Sequence, residues 1–303
     1  MYKFVFIFNI VMEPLNSLPR YAMFGIDDQD YKKARVVVLP VPYDSAVTYK
    51  SGAKDGPRAI IDASRNLEFY SYELKDDPRR IGIYTTLELA PNLDSPEKMA
   101  KNVKREVEVI LDDGKVPMLL GGDHSITIGA LEAFAGREEI SVVQFDAHTD
   151  SVDEMFGSRY THASVMARAM EMHEKIVQVG IRNIDAVSAK RLDMRRIMFM
   201  DEVDRIGTKA VADKINRLTG KEVYITVDLD VIDPGEMPST GTPEPGGMHW
   251  KELVDIIRRV AAKKNLAGMD ITELRPIPYM HAPDFAAAKL AYLSLGYFML
   301  KKR

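Results

Sequence analysis

An α/β fold built on a mainly parallel sheet is what this sequence predicts, and three observations predict it. Short apolar runs rich in Val, Ile and Leu alternate with amphipathic helical patterns along nearly the whole chain, the mark of strand–helix–strand units. Several runs are apolar at every position, as strands become when helices cover both faces of a parallel sheet. No repeat, low-complexity tract or Pro/Ser-rich linker interrupts the 303 residues, so 1–303 reads as a single domain.

Residues 1–12 are apolar apart from Lys3 and Asn9. That stretch is too short to span a bilayer, which takes about 20 apolar residues. Glu13, Pro14 and Asn16 stand where a signal peptide would carry its small-residue cleavage site. The segment reads as an edge strand or as an extension upstream of a start at Met12, and the protein as cytoplasmic, with no membrane partner. A first strand is expected at 35–39, followed by a helix at 57–66. Over 96–113, Met99, Val103, Val107, Ile110 and Leu111 form a helical stripe that Ser95 is placed to cap. Further strands are expected at 117–120, 140–145, 175–179, 196–200 and 222–227. Further helices are expected at 126–134, 209–218, 250–264 and 283–302. An open, doubly wound sheet fits this alternation better than a closed barrel, and its chemistry should collect at the carboxyl ends of the strands.

Composition narrows the chemistry. The chain has no cysteine, which excludes disulfides, thiolate metal sites and Cys nucleophiles. A net charge of −4 with interspersed signs argues against a nucleic-acid partner, which would call for a basic face. A hydrophobic fraction of 46% is enough to build a core and rules out wholesale disorder. Any metal must therefore be held by His and carboxylates.

Three apolar runs end abruptly in such residues. The first closes with Gly121, Gly122, Asp123, His124 and Ser125, where two glycines permit a tight turn that leaves His124 at the strand end. The second continues into Asp146, Ala147, His148, Thr149 and Asp150. Side chains alternate along a strand, so Asp146, His148 and, where the strand persists, Asp150 share one side. Unpaired carboxylates packed that densely are costly, and a cation relieves the cost. The third carries Asp228 and Asp230 at i and i+2 before Asp233-Pro234. A calcium loop is the rival, but the spacing of Gly and Glu does not fit one. Two imidazoles and four carboxylates exceed the four ligands of a structural Zn²⁺. They suit two divalent ions, Mn²⁺ ahead of Zn²⁺ or Mg²⁺, with shared carboxylates. A site of that charge welcomes a cationic substrate.

These strings, together with Gly-Thr-Pro-Glu-Pro-Gly-Gly at 241–247, resemble the signatures of the ureohydrolase, or arginase–agmatinase, family in order and spacing. The resemblance runs from about Val38 to the C-terminus. It implies an arginase-like three-layer α/β/α sandwich, two Mn²⁺ per subunit, and hydrolysis of a guanidinium to urea and an amine by metal-bound hydroxide. Carried over by position, His124, Asp146, Asp150 and Asp228 would hold one manganese. Asp146, His148, Asp228 and Asp230 would hold the other, with Asp146 and Asp228 bridging. His162 matches the proton-shuttling histidine and Glu273 the acid that pairs with the guanidinium, while Asp150 serves catalysis as well as the metal. His173, His249 and His281 lie outside the motifs.

The substrate is chosen at its far end. Val152 stands where arginases place an Asn that contacts the α-carboxylate, and Asp153 and Glu154 are expected to meet an ammonium instead. Gly-Ser-Arg-Tyr-Thr-His-Ala at 157–163 and Gln178-Val179-Gly180-Ile181-Arg182 also resemble archaeal-type agmatinases. The expected reaction is therefore conversion of agmatine to urea and putrescine, a step of polyamine biosynthesis. N1-aminopropylagmatine, arginine and guanidinobutyrate are the alternatives. Two readings of other classes are a catalytically silent metal-binding regulator and a Zn²⁺ amidohydrolase of the deacetylase type. The resemblance also implies a homo-oligomer, a trimer or hexamer.

Overall fold

The computed structural model describes residues 21–26, 29–45, 47–137 and 139–300; the expected 1–12 extension lies outside them. Eight strands form one sheet: β1 (Val36–Val41), β2 (Ile83–Thr85), β3 (Val116–Gly121), β4 (Ser141–Phe145), β5 (Ile176–Ile181), β6 (Ile197–Phe199), β7 (Glu222–Asp228) and β8 (Asn265–Thr272). Their order across the sheet is β2-β1-β3-β8-β7-β4-β5-β6, and every neighbouring pair is parallel.

The helices are α1 (Gly56–Ser64), α2 (Pro96–Asp112), α3 (Ile126–Glu132), α4 (Val165–Met172), α5 (Ser188–Arg191), α6 (Met200–Leu218), α7 (Trp250–Ala261) and α8 (Ala282–Met299). One layer joins α1, α8, α7 and α6, and the other joins α2, α3 and α4. The sheet divides the core accordingly. Val36 and Val38 of β1 belong to the cluster under the first layer, and Val37 and Leu39 to that under the second, as side-chain alternation requires. The three-layer sandwich is therefore the architecture of the chain. In α2, Ser95 accepts the Lys98 N–H at 3.2 Å, and Met99, Val103, Val107 and Ile110 are buried. Helix α8 is buried on nearly all sides because α1 and α7 flank it, so it carries no polar stripe.

Some elements depart from expectation. The short edge strand β2 is only three residues long. In β8, Gly268 and Asp270 dilute a run whose Met269 and Ile271 are fully buried. Helix α6 consists of two helical segments that meet at a kink at Gly207, φ 74°, so the expected helix at 209–218 is its second segment and the one that starts at Met200 was not foreseen.

The two glycines after β3 bring backbone against backbone. Gly122 donates its N–H to Val41 O at 2.9 Å and accepts from Glu273 N at 2.8 Å. A Cβ on Gly122 would lie 1.8 Å from Tyr43 O. We predict that Gly122→Ala destabilises the protein by about 3 kcal/mol or more, since backbone cannot yield as a side chain can. Gly114, at φ 68° with open space around it, should cost only about 1–2 kcal/mol on the same change. Urea denaturation would compare them, and equal losses would contradict the packing constraint.

Candidate metal centre

Strands β3, β8, β7 and β4 are consecutive in the middle of the sheet, and their carboxyl ends deliver the acids and histidines to one place. His124 is fully buried, and its Nδ1 stands 3.2 Å from Asp146 Oδ2, 2.9 Å from Asp150 Oδ2 and 3.4 Å from Asp228 Oδ2. His148 Nδ1 stands 2.9 Å from Asp230 Oδ2 and 3.6 Å from Asp146 Oδ1. Two donor groups result: His124, Asp146 and Asp228, and Asp146, His148 and Asp230. Asp146 belongs to both. Asp228 groups with His124, and its Oδ1 accepts the Asp230 N–H at 2.9 Å.

The carboxylates are clamped by their other contacts. Asp230 Oδ1 accepts the Ala147 N–H at 3.0 Å, and Asp146 Oδ1 accepts the His148 N–H at 2.6 Å. Asp146 Oδ2 also receives Gln144 Nε2 at 2.6 Å, and Gln178 in turn donates to Gln144 Oε1 at 2.6 Å. Both amides are buried in β4 and β5. Gln144 sits two residues before Asp146 on the same side of the strand, so the alternation that exposed the ligand triplet could also have pointed to it.

Two site residues hold unusual backbone. Asp150 has φ 44° and Glu273 φ 64°, left-handed conformations that cost about 1–2 kcal/mol for residues with a Cβ. The neighbourhood enforces both. The Asp150 carbonyl takes the N–H groups of Met166 and Ala167 at the start of α4 at 2.8 and 3.3 Å, and the Glu273 N–H is tied to Gly122 O. Glu273 Oε1 accepts the His124 N–H at 2.7 Å.

The donor set fits a pair of divalent cations. His124 Nδ1 is buried and makes no hydrogen bond, although three carboxylate oxygens crowd it. Donors about 2.1 Å from one ion and at right angles to each other stand roughly 3 Å apart, which is the spacing found. Electrostatics agree. Burial disfavours the His124 imidazolium, yet the carboxylates of Asp146, Asp150 and Asp228 beside the ring hold its pKa well above the ordinary value. His148 is likewise pushed up to about 12, the Asp230 charge overcoming its burial. Burial and the charges of Asp230 and Asp146 also raise Asp228, and burial with Asp123 raises Glu273. These carboxyls and imidazoles, all shifted upward, mark a site crowded with negative charge, which further positive charge relieves.

Above the cluster opens a cavity of about 340 Å³, lined by His148, Asp150, Asp228, Asp230, His162 and Glu273 near the ligands and by Val152, Met155, Asn183, Ile184, Asp185 and Glu244 farther out. His162 Nδ1 is buried without a partner. The expectation for Asp153 and Glu154 is corrected. Val152 N bonds to Ala163 O at 3.0 Å, a pairing that leaves Val152 and Met155 on the cavity wall. Asp153 bonds instead to Arg168 and Arg159, and Glu154 is exposed. The outer acids of the cavity are Asp185 and Glu244. Glu244 lies within the 241–247 motif, but nothing in its spacing pointed to this wall.

Comparisons with known proteins point to one family. The model of the Arginase family matches residues 34–296. The chain is 40% identical over 278 residues to an N(1)-aminopropylagmatine ureohydrolase of Thermus thermophilus, covering 90% of this chain and 94% of that protein. It is 32% identical to the agmatinase of Pyrococcus horikoshii, covering 88% and 93%. The crystal structure of agmatine ureohydrolase from Thermoplasma volcanium superposes with a TM-score of 0.84 at 31% identity, covering 94% and 95%.

Because the surrounding carboxylates hold both cluster imidazoles above the ordinary pKa and so favour their imidazolium forms, an entering cation competes with protons for the ring nitrogens. The sign follows: affinity for Mn²⁺ should rise with pH through neutrality and go on rising above it, with protons released on binding. Calorimetry in buffers of different ionisation enthalpy measures the release, and a pH-independent affinity would contradict the assignment.

Proposed function

We propose that this chain, which belongs to the arginase family, hydrolyses the guanidinium of agmatine to urea and putrescine at a pair of Mn²⁺ ions. The observation that carries the reading is the convergence of two imidazoles and four carboxylates on the floor of one cavity whose wall presents a further acid, Glu273. His124, Asp146, Asp150 and Asp228 would hold one ion, and Asp146, His148, Asp228 and Asp230 the other. Oxygen-rich ligation with some imidazole suits Mn²⁺. When bound, two such cations lower the pKa of water towards neutrality and so supply a nucleophile at physiological pH.

The chain's own residues do the rest. Glu273 is buried to 8% exposure, and a carboxylate there pairs with a planar guanidinium through parallel hydrogen bonds. That pairing fixes the attacked carbon and supplies the cation that Glu273 lacks. Asp150 faces the same space and takes the proton that the attacking water sheds, then returns it to the departing amine. His162, whose Nδ1 has no protein partner, exchanges protons with solvent, a task suited to imidazole.

The tail of the substrate runs outward past Val152, Met155 and Ile184 to Asp185 and Glu244. An ammonium there is favoured and an α-carboxylate is repelled, which argues for agmatine over arginine. Two outer acids rather than one also favour a second reading, N1-aminopropylagmatine, whose longer tail carries two ammonium groups. That is the activity named for the Thermus relative.

Urea release from agmatine, N1-aminopropylagmatine, arginine and guanidinobutyrate with added Mn²⁺ tests the proposal. Greatest kcat/KM on one of the first two is expected. Preference for arginine would overturn the substrate reading, and activity on none would favour a silent metal-binding protein. Separately, His162→Ala should lower kcat by about 10²-fold or more while both metals stay bound, and loss of metal from that variant would refute the proton-transfer role.

A further inference from the structure

Behind His124, away from the cavity, lies a chain of buried hydrogen bonds. His124 Nε2 is 2.8 Å from Thr226 Oγ1, and Thr226 Oγ1 is 2.6 Å from Asp270 Oδ1. The other oxygen of Asp270 accepts from Tyr224 Oη at 2.7 Å and Thr127 Oγ1 at 2.9 Å. All five side chains are fully buried. Thr226 on β7 and Asp270 on β8 are register partners, so the contact is built into the sheet.

The direction of these bonds is forced. An ionised carboxylate only accepts, and three hydroxyls converge on Asp270. Thr226 has one proton, and it is committed to Asp270. Its lone pair must then accept from His124, which places a proton on Nε2. The lone pair of the neutral ring is left on Nδ1, the atom facing Asp146, Asp150 and Asp228. Were the Thr226 proton aimed at His124 instead, a neutral ring would carry its proton on Nδ1 and could not ligate there. His148 differs: it is partly exposed, and no comparable chain behind its ring is found among the described residues.

We propose that Thr226 and Asp270 are positioning residues that lock His124 into the metal-ligating tautomer, and that they set the affinity of one of the two ion positions without setting the other. This rests on the reading of the His124 and His148 clusters as two metal positions. Outer hydrogen-bond partners of this kind are worth about 10–100-fold in metal affinity.

The test is equilibrium binding of Mn²⁺ to metal-stripped protein, followed by the electron paramagnetic resonance signal of the free ion, for wild type, Thr226→Val, Thr226→Ser and Asp270→Asn. Thermal melts of the metal-free proteins check folding. Thr226→Val is close in volume but leaves the His124 N–H unpaired. Asp270→Asn removes a buried charge and supplies an N–H₂ donor that can reverse the chain, so it remains informative if the valine variant does not fold. Wild type should bind two ions. Thr226→Val and Asp270→Asn should retain one at wild-type affinity and bind the other about 10–100-fold more weakly, with Thr226→Ser restoring the lost affinity. Two ions at wild-type affinity in both disruptive variants, or equal loss of both positions, would overturn the inference. Fewer than two ions in the wild type would overturn the two-metal reading itself, a separate failure.

Discussion

Four aspartates gathered around two histidines at the middle of a parallel sheet are the constraint from which the rest of the site follows. Carboxylates this close, on strand ends that pack against an apolar core, repel one another and lose hydration together. Backbone amides offset part of that cost, the Ala147, His148 and Asp230 N–H groups each bonding to one carboxylate oxygen. The oxygens that remain crowd the two imidazoles, where positive charge settles them. The fold and the demand for metal are thus two aspects of one electrostatic arrangement.

Local strain serves that arrangement. Asp150 and Glu273 both occupy left-handed backbone, and each turns a carboxylate towards the cavity from the point where its strand would otherwise have carried it on. The surroundings that hold them there are rigid: α4 through its first amides, and the Gly122 carbonyl, which has no freedom to move because Tyr43 lies directly against it. Catalytic side chains on the ends of packed strands and helices are held more tightly than they would be on a free loop.

The sequence was informative wherever a side chain's role is set by its own neighbours along the chain. The spacing of Asp146, His148 and Asp150 and of Asp228 and Asp230 marked the cluster, although β4 ends at Phe145 and β7 at Asp228, so it is the turns just beyond the strand ends that bring these side chains together. The two glycines before His124 announced a turn. Contacts between distant strands left weaker traces. Asp270 meets Thr226 only because β8 inserts beside β7, and an isolated Asp in a run interrupted by Gly268 does not look like a central strand at all. The outer wall was misjudged for a similar reason: whether Val152 or Asp153 faces inward depends on a bond to Ala163, which the loop's composition does not reveal.

Strand order has a consequence for biosynthesis. β3 and β7 are not hydrogen-bonded to each other; β8, which begins at Asn265, fills the gap between them. A ribosome-bound chain that lacks this last strand has its first histidine and its third pair of acids on separate pieces of sheet, and Glu273 has yet to be made. The donor group around His124 is therefore completed only when β8 takes its place, whereas Asp146, His148 and Asp230 stand at the ends of β4 and β7, which pair directly and do not wait for it.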